Sequence, residues 1–223
     1  MDGAHRRLAD ACAPHILETM PSERRTRMTP DERRAQLVAL GVAALADRPL
    51  DQLNVEDLSA QAGVSRGLLF YYFDSKQGFH REVVRAARDG MLNATEPQLD
   101  LPPLERLHTT LTKIVEFVRE HRSTFVSLVH GVASGDKEVR EVVEEAEQIQ
   151  TQRVIAVFDE LGIPQSPLLT VALRAWVAFA EQALVDGELT AGPEGDADAA
   201  AFVRFLERSA LAVVESVAGP VPH

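Results

Sequence analysis

The 223-residue sequence predicts an all-α fold, a small N-terminal head of helices followed by a larger helical bundle. Three observations carry this expectation. Apolar residues recur three and four apart along most of the chain, the spacing of one face of a helix. The stripes are separated by glycine and proline breaks, several of them next to Ser, Thr or Asn residues suited to cap the helix that follows. Charge divides the chain in the same place. Residues 1–90 hold 13 Lys/Arg and 13 Asp/Glu, whereas 91–223 hold 10 and 21, so the whole excess of −11 sits in the second part. The expected divisions are 1–28, an N-terminal extension with a basic run, 29–91, the head, and 92–223, the body.

Within the extension, Arg24, Arg25 and Arg27 precede the first helix and are either a solvated tail or a basic arm. That helix starts after Thr29, with Pro30 at its first position and Glu32 completing a capping box. Leu37, Leu40, Ala44 and Leu45 form its buried stripe, and Arg48-Pro49-Leu50 ends it. The second helix is capped by Asn54 and buries Val55, Leu58 and Ala62. Gly63 closes it, because glycine enters the left-handed conformation cheaply. Ser65 caps the third helix, with Val64 stapled onto Leu69. This short helix buries Leu69 and Phe73 on one side. Gly67, Leu68 and Tyr71 are left on the other, flanked by Phe70 and Tyr72, with Arg66 at the tip. Asp74, with Gln77 three residues on, is expected to cap the fourth helix, Ser75 to about Asn93.

The body continues with a fifth helix over about 104–121, on the stripe Leu104, Leu107, Leu111, Val115 and Val118. A sixth covers about 123–133 and is broken by Gly135. A seventh, about 137–161, is acidic outside and apolar along Val139, Val143, Ala146, Val154 and Val157. Gly162, Pro164 and Pro167 form the next break. The eighth, about 168–186, is apolar nearly all round, with Arg174, Glu181 and Gln182 as its interior polar groups. Such a helix must be covered on all sides. Residues 187–197 read as a loop, and a ninth helix follows over about 199–217. Two apolar C-terminal helices suit either a two-fold four-helix interface between subunits or an intrachain bundle using the same faces.

The third helix sets the function. The only two tyrosines of the chain, Tyr71 and Tyr72, lie on it between Arg66 and Lys76. Tyrosine hydroxyls, a lysine and a helix N-terminus suit phosphate oxygens, and arginine is the side chain best matched to guanine in a major groove. Helix two, the Gly63 turn and helix three form a helix-turn-helix. The run from Val55 to Lys76, with Ala62-Gly63-Val64-Ser65, then Phe70-Tyr71-Tyr72-Phe73 and Lys76, resembles the DNA-binding domain of the TetR family of transcriptional regulators, over about residues 31–91.

The resemblance implies phosphate contacts from Asn54, Tyr72 and Lys76, and base reading by Arg66, Leu68 and Tyr71, with Ser65 and Gly67 at the helix start. Leu68 stands where the family often has a hydroxyl or amide, and Phe70 where tyrosine is usual. It further implies a homodimer on a double-stranded operator, released by a small effector held in the body. His108, Phe125, Gln150, Arg153, Trp176 and Phe179 are the candidate pocket residues, being polar or aromatic groups on or beside apolar stripes.

Other chemistries find little footing. One cysteine, Cys12, precludes an intrachain disulfide and fits a reducing compartment. No secretory leader and no uninterrupted membrane-spanning run is expected, so the reading is cytoplasmic. The seven histidines lack metal-ligand spacing. Gly131-Val132-Ala133-Ser134-Gly135 only superficially suggests a nucleophile elbow, its serine being one place off. No cofactor, metal or catalytic set is expected. The competing reading is a helical small-molecule-binding or enzymatic bundle whose head does not bind DNA.

Overall fold

The computed structural model describes residues 28–130, 137–187, 189 and 193–221. The basic run at 24–27, the Gly131–Gly135 segment and the break at Gly135 lie outside the described residues. Among these, nine α-helices and one 3-10 turn follow one another without a strand: α1 (Pro30–Ala44), the turn (Leu50–Gln52), α2 (Val55–Ala62), α3 (Arg66–Phe73), α4 (Lys76–Ala94), α5 (Pro103–Glu120), α6 (Arg122–His130), α7 (Lys137–Glu160), α8 (Pro167–Asp186) and α9 (Pro193–Ala218).

The local signals act as expected at most helix ends. The Thr29 hydroxyl accepts from the Glu32 amide at 3.2 Å, and the Thr29 amide donates to the Glu32 carboxylate at 2.7 Å, a complete capping box. Asn54 accepts from the amide of Glu56, Ser65 from that of Leu68 and Ser166 from that of Leu169. Gly63 sits at φ 66°, ψ 33°, the left-handed corner that turns α2 into α3.

Three expectations need correction. Asp74 does not cap α4. It is the C-cap of α3 at φ 61°, while the Ser75 hydroxyl accepts from the Gly78 amide at 2.9 Å. The chain reverses between Phe73 and Lys76 within two residues, which needs one positive φ, and aspartate tolerates that better than most residues. The first helix ends at Ala44 rather than Arg48, with Leu45 turned fully into the core. The last helix begins at Pro193, six residues before expected, because proline is preorganised for the first helical position. Asp196 in its opening turns is also tied to Arg119 of α5 at 2.7 Å.

Two apolar cores hold the molecule. The head core joins Leu37 and Leu45 of α1, Leu58 of α2, Leu69 and Phe73 of α3, and Phe79, Val83 and Val84 of α4. It continues into the body through Leu128 of α6 and Val139 and Val142 of α7. Burying each such side chain contributes about 1.5–3 kcal/mol. The α1–α4 crossing is close enough that a Cβ on Gly41 would lie 2.4 Å from Val83 Cγ2 and 2.9 Å from Phe79 Cζ. The body core is built from α5, α7, α8 and α9, and takes Met91 and Leu92 from the end of α4. Helix α4 is thus shared: its first half belongs to one core and its last turn to the other. Arg81 pairs with Glu138, and Arg88 with Glu145, along the α4–α7 seam.

Helix α8 departs from the expectation that no run could span a bilayer. By length and composition it qualifies, with a mean hydropathy of 1.5 over its most apolar window. Leu169, Leu173, Trp176, Val177, Ala180 and Leu184 are buried inside the protein, as the core helix of a folded body requires.

Candidate nucleic-acid interface and effector cavity

Because Leu69 and Phe73 are anchored in the head core, the opposite side of α3 must face outward, and its residues are distributed accordingly. Tyr71 is 76% exposed, whereas Tyr72 is half-buried and meets the Tyr71 ring edge-on at 5.5 Å. Gly67 is exposed and its Cβ direction is empty space apart from the Ser65 hydroxyl at 3.9 Å. Leu68 is half-buried, and Lys76 is exposed at the first position of α4. Arg66 is held: its guanidinium lies 2.7 Å from Glu56 Oε1 on α2 and stacks over the Phe70 ring at 5.3 Å. Both partners are exposed, so the pair contributes little stability and is free to exchange. Asn54 and Ser65 use their side-chain oxygens as caps while remaining at the surface. All eight residues proposed from the sequence therefore lie on α3 or at the adjoining helix starts. Glu56, which restrains Arg66, was not among them; only the packing of α2 on α3 brings it there.

A narrow cavity of about 70 Å³ runs between α5, α7 and α8 in the body. Its walls are apolar, including Leu107, Leu111, Phe125, Val154, Trp176 and Leu184. Its polar groups are few: Arg106, Thr110, Gln150, Arg153 and Glu181. Arg106 is committed to both carboxylate oxygens of Glu160, at 2.9 and 2.5 Å, and this hydrogen bonding draws the Glu160 carboxyl below its ordinary pKa. Arg153 donates to the Leu92 carbonyl at 3.1 Å and the Thr95 carbonyl at 3.4 Å, closing the C-terminal end of α4. Burial lowers its guanidinium pKa, partly offset by Glu96. Burial, followed by the like charge of Glu147, lifts the Glu181 carboxyl to about 7. The Trp176 indole N–H donates to the Ser209 hydroxyl at 2.8 Å.

Four of the six sequence-derived pocket residues, Phe125, Gln150, Arg153 and Trp176, line this cavity. The other two do not. His108 is exposed beside a surface groove, 3.1 Å from Glu207. Phe179 is 44% exposed on the outer side of α8, edge-to-face with Phe205 at 5.9 Å. Helical periodicity identified residues on roughly the right helices but could not say which flank faced inward. Arg106 and Glu181 were missed as lining groups, although a carboxylate inside the most apolar helix was a visible signal for the second. Among the described residues no cluster of His, Cys, Asp or Glu could hold a metal ion.

Residues 37–83 match the family described as bacterial regulatory proteins, tetR family. The HTH-type transcriptional repressor KstR2 of Mycolicibacterium smegmatis is 33% identical over 99 residues, 44% of this chain and 48% of that protein. The chain thus spans about half the length of this curated relative, and about a quarter of another, YxbF of Bacillus subtilis. The crystal structure of a tetR-family transcriptional regulator from Streptomyces coelicolor superposes with a TM-score of 0.69 at 23% identity, covering 85% of this chain and 84% of that one. The crystal structure of AibR in complex with isovaleryl coenzyme A and operator DNA superposes at a TM-score of 0.55 and 14% identity, covering 85% of this chain and all of that one. These last two likenesses concern the fold. Residues 37–83 thus carry the head of the tetR family of bacterial regulatory proteins, and the helices of the described residues are arranged as in solved TetR-family regulators.

Proposed function

We propose that the protein is a homodimeric, sequence-specific DNA-binding repressor, acting in the cytoplasm and released from its operator by a small molecule bound in the body cavity. The observation that carries this is the outer surface of α3. A helix too short to need core on every side keeps Tyr71 almost wholly in solvent, with Arg66, Gly67 and Lys76 beside it. In a major groove, Arg66, Leu68 and Tyr71 would meet base edges. Asn54, Ser65, Tyr72 and Lys76 would meet phosphates, which fix register without reading sequence. Arg66 would exchange Glu56 for guanine, and Leu68 would meet a thymine methyl. Release would follow because ligand and DNA favour different poses of α4, whose first residue is Lys76 and whose last turn is held by Arg153. The solved AibR complex, which holds operator DNA and an acyl coenzyme A together, is a precedent for both partners on this fold.

Fluorescence anisotropy on duplexes taken from DNA flanking the protein's own gene tests the reading. Affinity should fall steeply between about 50 and about 200 mM salt, since neutralised phosphates release counterions. Tyr71→Ala should relax sequence choice, costing about 1–3 kcal/mol on the preferred site only, whereas Lys76→Ala should weaken all duplexes alike and lower the salt slope by about one. Undetectable or salt-insensitive binding would overturn the reading. Identical specificity changes in the two variants would overturn the division of roles.

A further inference from the structure

We infer that the cavity between α5, α7 and α8 takes a compact cationic amphiphile, an apolar body carrying one ammonium group that pairs with Glu181. The inference rests on the proposal that this cavity is the effector site and narrows the chemistry of what enters it. The reason is an imbalance among the charged groups that line it. Arg106 already has a carboxylate, Glu160, on two hydrogen bonds. Arg153 already has two carbonyls. An anionic ligand would have to compete with Glu160 for the terminal nitrogens of Arg106, whose Nε alone is left without a hydrogen-bond partner, and with the two carbonyls that hold Arg153. Among the described residues Glu181 meets no hydrogen-bond donor and no cation, and the charge that acts on it is that of Glu147 from α7, of the same sign. Gln150 on α7 and Thr110 on α5, which share the cavity, are neutral. A buried carboxylate without a counter-charge is costly, and a ligand that supplies the charge recovers that cost on binding.

Size follows from the volume. At about 10–15 Å³ per water-sized position, 70 Å³ holds about five to seven non-hydrogen atoms without widening. Apart from Thr110, Gln150 and the two arginines the wall is apolar, so beyond the ammonium the ligand should be mostly hydrocarbon.

The test uses the purified full-length protein and three probes of this size: pentylamine, pentanol and pentanoate. Trp176 is the only tryptophan of the chain and lines the cavity, so its fluorescence reports occupancy. At pH about 8 an alkylamine is still protonated while Glu181 is mostly ionised. Pentylamine should then bind at least about tenfold more tightly than pentanol, and pentanoate more weakly than either. In Glu181→Gln, pentanol should bind as in the wild type and the amine should lose its advantage. In the wild type, the same advantage should shrink on moving to pH about 6, as Glu181 takes up its proton. An alcohol or carboxylate that binds as tightly as the amine, an amine preference that survives in Glu181→Gln, or no fluorescence response to any probe would each overturn the inference. No DNA enters these titrations, so their failure leaves operator binding standing, and a failure to find operator binding leaves the amine result standing.

Discussion

Glu181 shows how a single half-buried group sets a pH dependence for the whole fold. In the folded protein its carboxyl keeps a proton up to about pH 7, against an ordinary value of 4.5. The folded state therefore binds the extra proton between those values, and stability falls as pH rises through that window. Below it the group is protonated in both states and costs nothing; above it the full penalty applies. Glu181→Gln, which cannot ionise, should be more stable than the wild type at pH about 8 by up to about 3 kcal/mol, with the difference closing by pH about 4. Urea denaturation at the two pH values measures this, and an equal difference at both would contradict it. Of the residues of functional interest, those in local motifs were legible in advance. Ser65 and Asn54 cap the helices they precede because capping needs only a hydroxyl or amide oxygen within a few residues. Asp74 was misread for the same reason: Ser75 beside it was an equally good cap, and only the geometry of the chain reversal chose between them.

Among the elements, α4 carries the connection between the proposed DNA surface and the proposed ligand site. Its first turn bears Lys76, its middle fills the head core with Phe79, Val83 and Val84, and its last turn enters the body core through Met91 and Leu92. Arg153 touches that last turn and the cavity at once. A ligand that shifts Arg153 therefore alters what holds the C-terminal end of α4. Arg153→Met should leave operator affinity within a few-fold of the wild type but reduce the loss of operator affinity on adding pentylamine. That loss, in the wild type, should amount to about 1–3 kcal/mol of coupling. Anisotropy titrations with and without pentylamine give the ratio, and an unchanged ratio would exclude Arg153 as the link. Periodicity announced α4 and its apolar face, but not that this face is divided between two cores. That division depends on where α6 and α7 dock, which no local pattern encodes.

For the molecule as a whole, the outward faces of α8 and α9 expose four large apolar side chains among the described residues. Leu168 and Val171 are each 64% exposed, and Phe179 and Phe205 stack on each other at 44% and 43%. An apolar patch of this kind on a folded body marks an interaction surface, and a second copy of the chain is the occupant that the proposed two-fold repressor requires. Phe179→Asp should raise the dimer dissociation constant by about 30-fold or more, the effect of losing about 2 kcal/mol at a buried aromatic anchor. Sedimentation velocity across a dilution series measures it. A wild type that stays monomeric at high concentration would remove the interface, and a variant that dimerises as well as the wild type would move it elsewhere. The acidic excess in residues 91–223 would repel DNA and, on the proposed function, leave the head as the docking end.

The sequence alone determined the helical class, the helix-turn-helix and the residues on the open side of α3, because caps, glycine turns and a 3.6-residue repeat act over a few positions and leave their record in order along the chain. Tertiary structure alone decided which flank of each body helix faces inward, which put Phe179 on the surface, Glu181 beside the cavity and Arg153 against the end of α4. The physical reason is range: a helix that is apolar nearly all round, as α8 is, has no preferred side until its neighbours pack against it.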